Sequence, residues 1–242
     1  MASSDSPSND WLDELVRAVE RLTFAAPVAY VYNPLVYARA MVDAYFARYG
    51  RGKREVLFLG MNPGPWGMAQ TGVPFGEVSI VRDWLGLDAP IGRPAREHPK
   101  RPVDGLLCKR SEVSGARLWG FARDRFQTPQ TFFARFFVAN YCPLAFLEAS
   151  GGNLTPDKLP AREREPLFAE CDKALVALVE AMRPRCVVGI GNFAEARARA
   201  ALAKSPGIVV ARAPHPSPAS PAANRGWAVA FETALRTAGL PI

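Results

Sequence analysis

The segment CVVGIGNFAEARARAALAKSPGIVVARA, residues 186–213, decides the fold class. Cys186-Val187-Val188-Gly189-Ile190 is a short apolar run closed by Gly191, the pattern of a strand buried on both faces. Residues 192–204, with alanines throughout, read as a helix, and Ile208-Val209-Val210-Ala211 as a second such strand. Working outward, runs of the same kind stand at Glu55-Val56-Leu57-Phe58-Leu59, ending in Gly60, and at Phe136-Phe137-Val138-Ala139. Helical spacing marks residues 8–22 through Trp11, Leu12, Leu15, Val16, Val19 and Leu22, and residues 165–182 through Leu167, Phe168, Cys171, Leu175, Leu178 and Met182. Residues 35–49 and about 224–238 read as further helices. Strands alternating with helices predict an α/β domain with a mostly parallel sheet. There is no internal repeat and no clear linker, so the expectation is a single domain over residues 1–242, with residues 1–8 a flexible polar tail.

The chain has 242 residues, 49% apolar, 22% charged and 10% aromatic, values of a globular protein with one good core. No apolar run approaches the ~18 residues that span a bilayer, and the N-terminus has neither the basic nor the apolar region of a signal peptide. Cys108, Cys142, Cys171 and Cys186 form no C-x-x-C pair, and there are two histidines, His98 and His215. That pattern argues against a zinc or iron–sulfur site and for buried thiols in a reducing compartment. The formal charge is +7, and nine Lys/Arg against four Asp/Glu fall between Arg93 and Arg125. Such a concentration suits a polyanion, nucleic acid first, or is a solvated basic face.

In open parallel sheets, ligands bind beyond the carboxyl ends of the strands. The four runs lead there into Gly60-Met61-Asn62-Pro63-Gly64, Asn140-Tyr141-Cys142-Pro143, Gly191-Asn192 and Pro214-His215-Pro216-Ser217-Pro218. Residues 60–77, GMNPGPWGMAQTGVPFGE, are dense in glycine and proline and read as a shaped loop rather than a helix or strand. Asn62 is either a turn asparagine or an amide that fixes a water or a ligand edge. His215, in HPSPASPAANRGW at a strand end, is a structural histidine or a ligand-facing one. Gly189-Ile190-Gly191-Asn192-Phe193-Ala194 fits G-x-G-x-x-A between strand and helix, the dinucleotide fingerprint. It stands late in the chain, however, and Val209, Val210 and Arg212 occupy the region where an acidic residue is expected. Tight strand–helix packing explains these glycines adequately.

The stretches GMNPGPWGMAQTGVPFGE, CKRSEVSGARLWGF, FFVANYCPLAF, GNLTPDKLPAREREPLF, VVGIGNFAEARARAAL and HPSP with NRGW occur here in a distinctive order and spacing. Together they resemble the single-strand-selective monofunctional uracil-DNA glycosylases, a branch of the uracil-DNA glycosylase superfamily, over about residues 25–240. The resemblance implies a three-layer α/β/α fold with a central, mostly parallel four-stranded sheet. It implies a DNA repair enzyme that flips out and hydrolyses uracil and 5-oxidised uracils such as 5-hydroxymethyluracil from single- and double-stranded DNA, leaving an abasic site. No cofactor, metal or membrane is implied, and a monomer is expected. The location follows the genome: cytoplasmic in a bacterium, nuclear in a eukaryote.

By the same resemblance Asn62 positions the attacking water and His215 donates to the departing base. Asn140 reads the Watson–Crick edge, Phe75 stacks on the base, and Gly60 and Met61 stand near its 5-substituent. DNA contacts are expected from Lys109, Arg110, Ser217, Pro218, Ala219 and Arg225, with Arg117, Arg123 and Arg125 as further basic candidates. At Ala219 the sequence departs from the vertebrate members, which carry an arginine in the wedge that fills the gap left by the flipped base. Two other readings stand beside this one: a non-catalytic DNA-binding relative of the same fold, and a dinucleotide-dependent oxidoreductase using the glycines near residue 190.

Overall fold

Apolar runs become strands when their backbone groups pair with one another and both faces are covered. In the computed structural model, which describes residues 10–218, 220 and 226–240, seven strands form: β1 (Val28–Tyr32), β2 (Val56–Gly60), β3 (Phe136–Asn140), β4 (Ala145–Glu148), β5 (Asn153–Leu154), β6 (Cys186–Ile190) and β7 (Val209–Ala213). Four of them make a parallel sheet in the order β3-β2-β6-β7. These are the four apolar runs, the last shifted towards its C-terminal end. β2 and β6 are buried throughout, as the two inner strands of a covered sheet must be.

Helices α1 (Asp10–Val19), α2 (Pro34–Tyr37), α3 (Arg39–Tyr49), α4 (Met68–Thr71), α5 (Val113–Phe126), α6 (Pro129–Phe133), α7 (Ala161–Met182), α8 (Asn192–Ala201) and α9 (Trp227–Thr237) surround it. On one face Phe58 of β2 stacks on Phe136 and meets Phe231 of α9, with Phe132 of α6 alongside. Leu59, pointing the other way, lines one apolar cavity together with Leu12 and Leu15 of α1 and Leu175 and Leu178 of α7. One continuous apolar core runs from Leu12 to Leu240. The layers are therefore helix, sheet, helix, with β2 at the centre.

Four features differ from the sequence reading. β1, β4 and β5 form a second, three-stranded antiparallel sheet. Its edge strands are short and half exposed, so they lack the apolar runs that mark the main sheet. The helix expected over 35–49 is two, broken at Ala38, whose backbone leaves the helical region. The 60–77 loop carries the one-turn helix α4, which ends at Gly72 with φ +73°. The basic stretch contains α5, whose inward positions are Gly115, Leu118, Trp119 and Ala122.

Candidate active site

The register of β2 against β3 places Gly60 opposite Asn140. The ladder continues past both strands: Tyr141 N–H donates to Gly60 O at 3.0 Å and Cys142 N–H to Met61 O at 2.8 Å. The two loops that follow these strands are thus held side by side. The Asn62 side chain closes the same zipper, its Nδ2 donating to Leu144 O at 3.2 Å. An amide anchored through its nitrogen presents its oxygen, an acceptor, to whatever lies in front of it.

At Gly60 a side chain has no room. A Cβ there would overlap Asn140 Oδ1 and stand 2.5 Å from the Phe75 ring. Asn140 and Phe75 are therefore set by backbone contact rather than by loose packing. Phe75 has φ +55°, a conformation that costs a non-glycine residue energy and persists only when its surroundings impose it. α5 imposes it. Trp119 Nε1 donates to Pro74 O at 3.1 Å, and Gly115 allows the helix to lie directly against the Phe75 carbonyl. Asn140 Nδ2 rests on Met68 Sδ at 3.2 Å, which leaves its second N–H and its Oδ1 available.

His215 follows β7. Its Nδ1 accepts from Ser217 N–H at 3.0 Å, so a neutral ring carries its proton on Nε2. Burial pushes its pKa below the usual histidine value, which favours that neutral form. The loop is fixed by two side chains: Trp227 Nε1 donates to Pro214 O at 2.8 Å, and Arg117 Nη1 to Pro216 O at 2.8 Å. Arg117, expected among the phosphate contacts, spends one of its donors on the histidine loop.

Met61, Asn62, Phe75, Asn140, His215 and Ser217 line one cleft of ≈ 340 Å³, within the size range of small-ligand sites. The cleft thus offers an acceptor at Asn62, a neutral donor at His215, a bidentate amide at Asn140 and an aromatic face at Phe75. Gly60 lies behind this wall rather than in it. Lys109, Arg110 and Pro218 are exposed outside the cleft. Ala219 and Arg225 lie outside the described residues.

Other residues that line the cleft were not singled out from sequence: Met68, Glu112, Ser114, Asn153 and Thr155. Glu112 is the most telling. Burial raises its carboxyl pKa, and the Trp66 and Ser114 N–H groups donate to it. A Cβ at Gly64 would stand 2.5 Å from its carboxylate, and one at Gly67 2.9 Å from its Cγ. Glycines in the 60–77 loop thus make space for a carboxylate from the start of α5. The glycines near residue 190 serve packing too. A Cβ at Gly189 would overlap the backbone of Glu195 in α8, and Gly191, at φ +92°, leaves room for His215.

The family model described as the uracil DNA glycosylase superfamily matches residues 47–236. The single-strand selective monofunctional uracil DNA glycosylase of Mus musculus is 53% identical over 239 residues, 97% of this chain and 86% of that protein. Its Bos taurus counterpart is 54% identical over 223 residues, 92% of this chain and 82% of that protein. Among solved structures, wild-type Pedobacter heparinus SMUG2 superposes with a TM-score of 0.66 at 17% identity, covering 95% of this chain and 98% of that one. That likeness speaks for the fold.

Proposed function

This chain belongs to the uracil-DNA glycosylase superfamily, in the branch of the single-strand selective monofunctional enzymes, and so is a glycosylase; from that premise we propose how its cleft acts on DNA. A uracil turned out of the strand enters between Phe75 and the Asn140 edge. Asn140 donates to O4 and accepts from N3–H, and cytosine reverses both groups, leaving buried polar atoms unpaired. The C1′–N1 bond breaks and its electron pair passes to the base. Water, held by Asn62 Oδ1, bonds to C1′ and releases its proton to solvent, from which the departing base anion takes one up. An amide is no strong base, and an oxocarbenium-like transition state needs little push. His215 Nε2–H donates to O2, where the negative charge grows, as in an oxyanion hole. Uracil and an abasic site are the products.

The observation that carries this reading is the pairing in one cleft of an Asn62 oxygen and a neutral His215 donor, beside a base-reading amide and a stacking ring. We extend it to 5-hydroxymethyluracil, with Met61 in the cleft nearest the 5-substituent and Gly60 behind the wall, and to a monomer working wherever the genome lies. Duplex uracil is a poorer substrate on this reading, because Ala219 offers only a methyl group to fill the gap left by the flipped base. The test is incubation with uracil-containing oligonucleotides, single- and double-stranded, followed by alkaline cleavage. Strand breaks at uracil alone support the reading. DNA binding without breaks would make the chain a binding-only relative.

A further inference from the structure

Trp66 adjoins the cleft through its neighbours. It follows Pro65, which lines the cleft, and its N–H donates to the Glu112 carboxylate. Two guanidiniums lie over its ring, Arg101 at 5.0 Å and Arg110 at 4.7 Å from the centroid. The two cations are thus within about 10 Å of each other, a range over which charges still repel at moderate ionic strength. Neither has an ion pair among the described residues. The acids nearby are engaged elsewhere: Glu97 and Asp104 face Arg93, and Glu112 turns to backbone N–H groups. Arg39, Arg185, Arg199 and Arg236, by contrast, each hold a carboxylate at 3.0 Å or less.

The pair is also held in place. Tyr32 Oη donates to Arg101 O at 2.8 Å. Gln70 Nε2 donates both to Pro65 O at 3.0 Å and to Pro102 O at 2.9 Å, tying the Arg101 loop to the Trp66 loop. Arg101 Nη1 donates to Lys100 O at 3.2 Å, and its Nε is buried with no partner. Stacking uses the faces of a guanidinium and leaves its in-plane N–H edges for anionic oxygens.

We propose that Trp66, Arg101 and Arg110 form a subsite for phosphodiesters of the DNA strand next to the extruded nucleotide. The indole is the platform that holds two uncompensated cations beside the cleft. The proposal rests on the glycosylase reading in that its ligand is the substrate's own backbone.

The test is the salt dependence of binding to a uracil-free single strand, followed by fluorescence anisotropy. Each lost phosphate contact should flatten the log–log slope by about 0.7 for a single strand. Arg101→Ala should do so once, and Arg101→Ala with Arg110→Ala about twice as much. Trp66→Leu keeps both charges, so it should weaken affinity several-fold with little change of slope. A double variant with the wild-type slope overturns the subsite, and a Trp66→Leu protein that binds as tightly as wild type overturns the platform. Arg101→Gln and Arg110→Gln take the place of any alanine variant that fails to fold. Uracil release by the wild-type enzyme is scored separately, so failure of the glycosylase reading is told apart from failure of the subsite.

Discussion

The side-chain nitrogen of Asn62 donates to the carbonyl oxygen of Leu144 at 3.2 Å, which leaves the Asn62 oxygen as the acceptor facing the cleft. The orientation of an amide, ambiguous in isolation, is set here by a backbone group 82 residues away.

Asn62→Ala therefore removes a water-holding acceptor together with its anchor. Turnover on single-stranded uracil substrate should fall by a factor on the order of 10²–10³, the scale for one key orienting group. Affinity for the DNA should survive, because the proposed phosphate subsite lies elsewhere. Single-turnover rates equal to wild type would remove Asn62 from the chemistry.

His215 should set the acid side of the pH profile. Its folded pKa is lowered by burial, and protonating Nδ1 would break the hydrogen bond from Ser217. Activity should stay level down to the ordinary histidine value of about 6.5 and fall only below it. Stability follows the same sign. The unfolded chain takes up the proton first, so this contribution is complete above about pH 6.5 and is lost as pH falls through the lower folded value. The checks are kcat against pH, and urea midpoints at pH 5 and 7.5 for wild type and His215→Asn. Activity that rises as the pH falls through the histidine range, and is lost at neutral pH, would mean that a cationic ring, not a neutral donor, serves the leaving group.

Gly60→Ala tests how rigid the base-reading wall is. The added methyl meets Asn140 Oδ1 and the Phe75 ring, neither of which has an easy retreat. Overpacking should cost about 1–3 kcal/mol of stability. Displacing both groups by a fraction of an ångström to an ångström should lower kcat/KM by a factor on the order of 10². Near-normal kcat/KM would show that the wall yields.

Ala219→Arg addresses strand preference. Unstacking a base costs a few kcal/mol, least in a strand that is already single. An arginine that fills the gap should raise kcat/KM on U·A duplex more than on single strand. If the ratio of the two stays constant, flipping does not limit the rate or another residue supplies the wedge.

Much of this architecture is legible in the chain. β2, β3 and β6 are buried on both faces and so read as plain apolar runs, β7 reads as one although it is a largely uncovered edge strand, and the carboxyl-end rule then brings Asn62, Asn140 and His215 to one edge. α5 is not legible in the same way. Two of its four inward positions are Gly115 and Ala122, so hydrophobicity does not mark the stripe. Its glycine is a packing device whose target, the Phe75 carbonyl, is 40 positions away in the chain. Glu112 escapes for a related reason. Its partners are backbone N–H groups, and its space is made by Gly64 and Gly67 on another loop. The tautomer of His215 likewise depends on Ser217 N–H, a main-chain group that no residue type announces.

The two walls of the cleft are built from unlike materials. The Gly60–Asn140 wall is an extension of the sheet, its donors and acceptors all main chain between Gly60 and Cys142. No side-chain change short of a proline at 141 or 142 deletes those bonds, and amides there should exchange with deuterium only as slowly as the core itself opens. The His215 wall hangs on the Trp227 indole and the Arg117 guanidinium, each removable by one codon change. Drift among descendants of this enzyme should therefore retune the speed of base release far more readily than the choice of base.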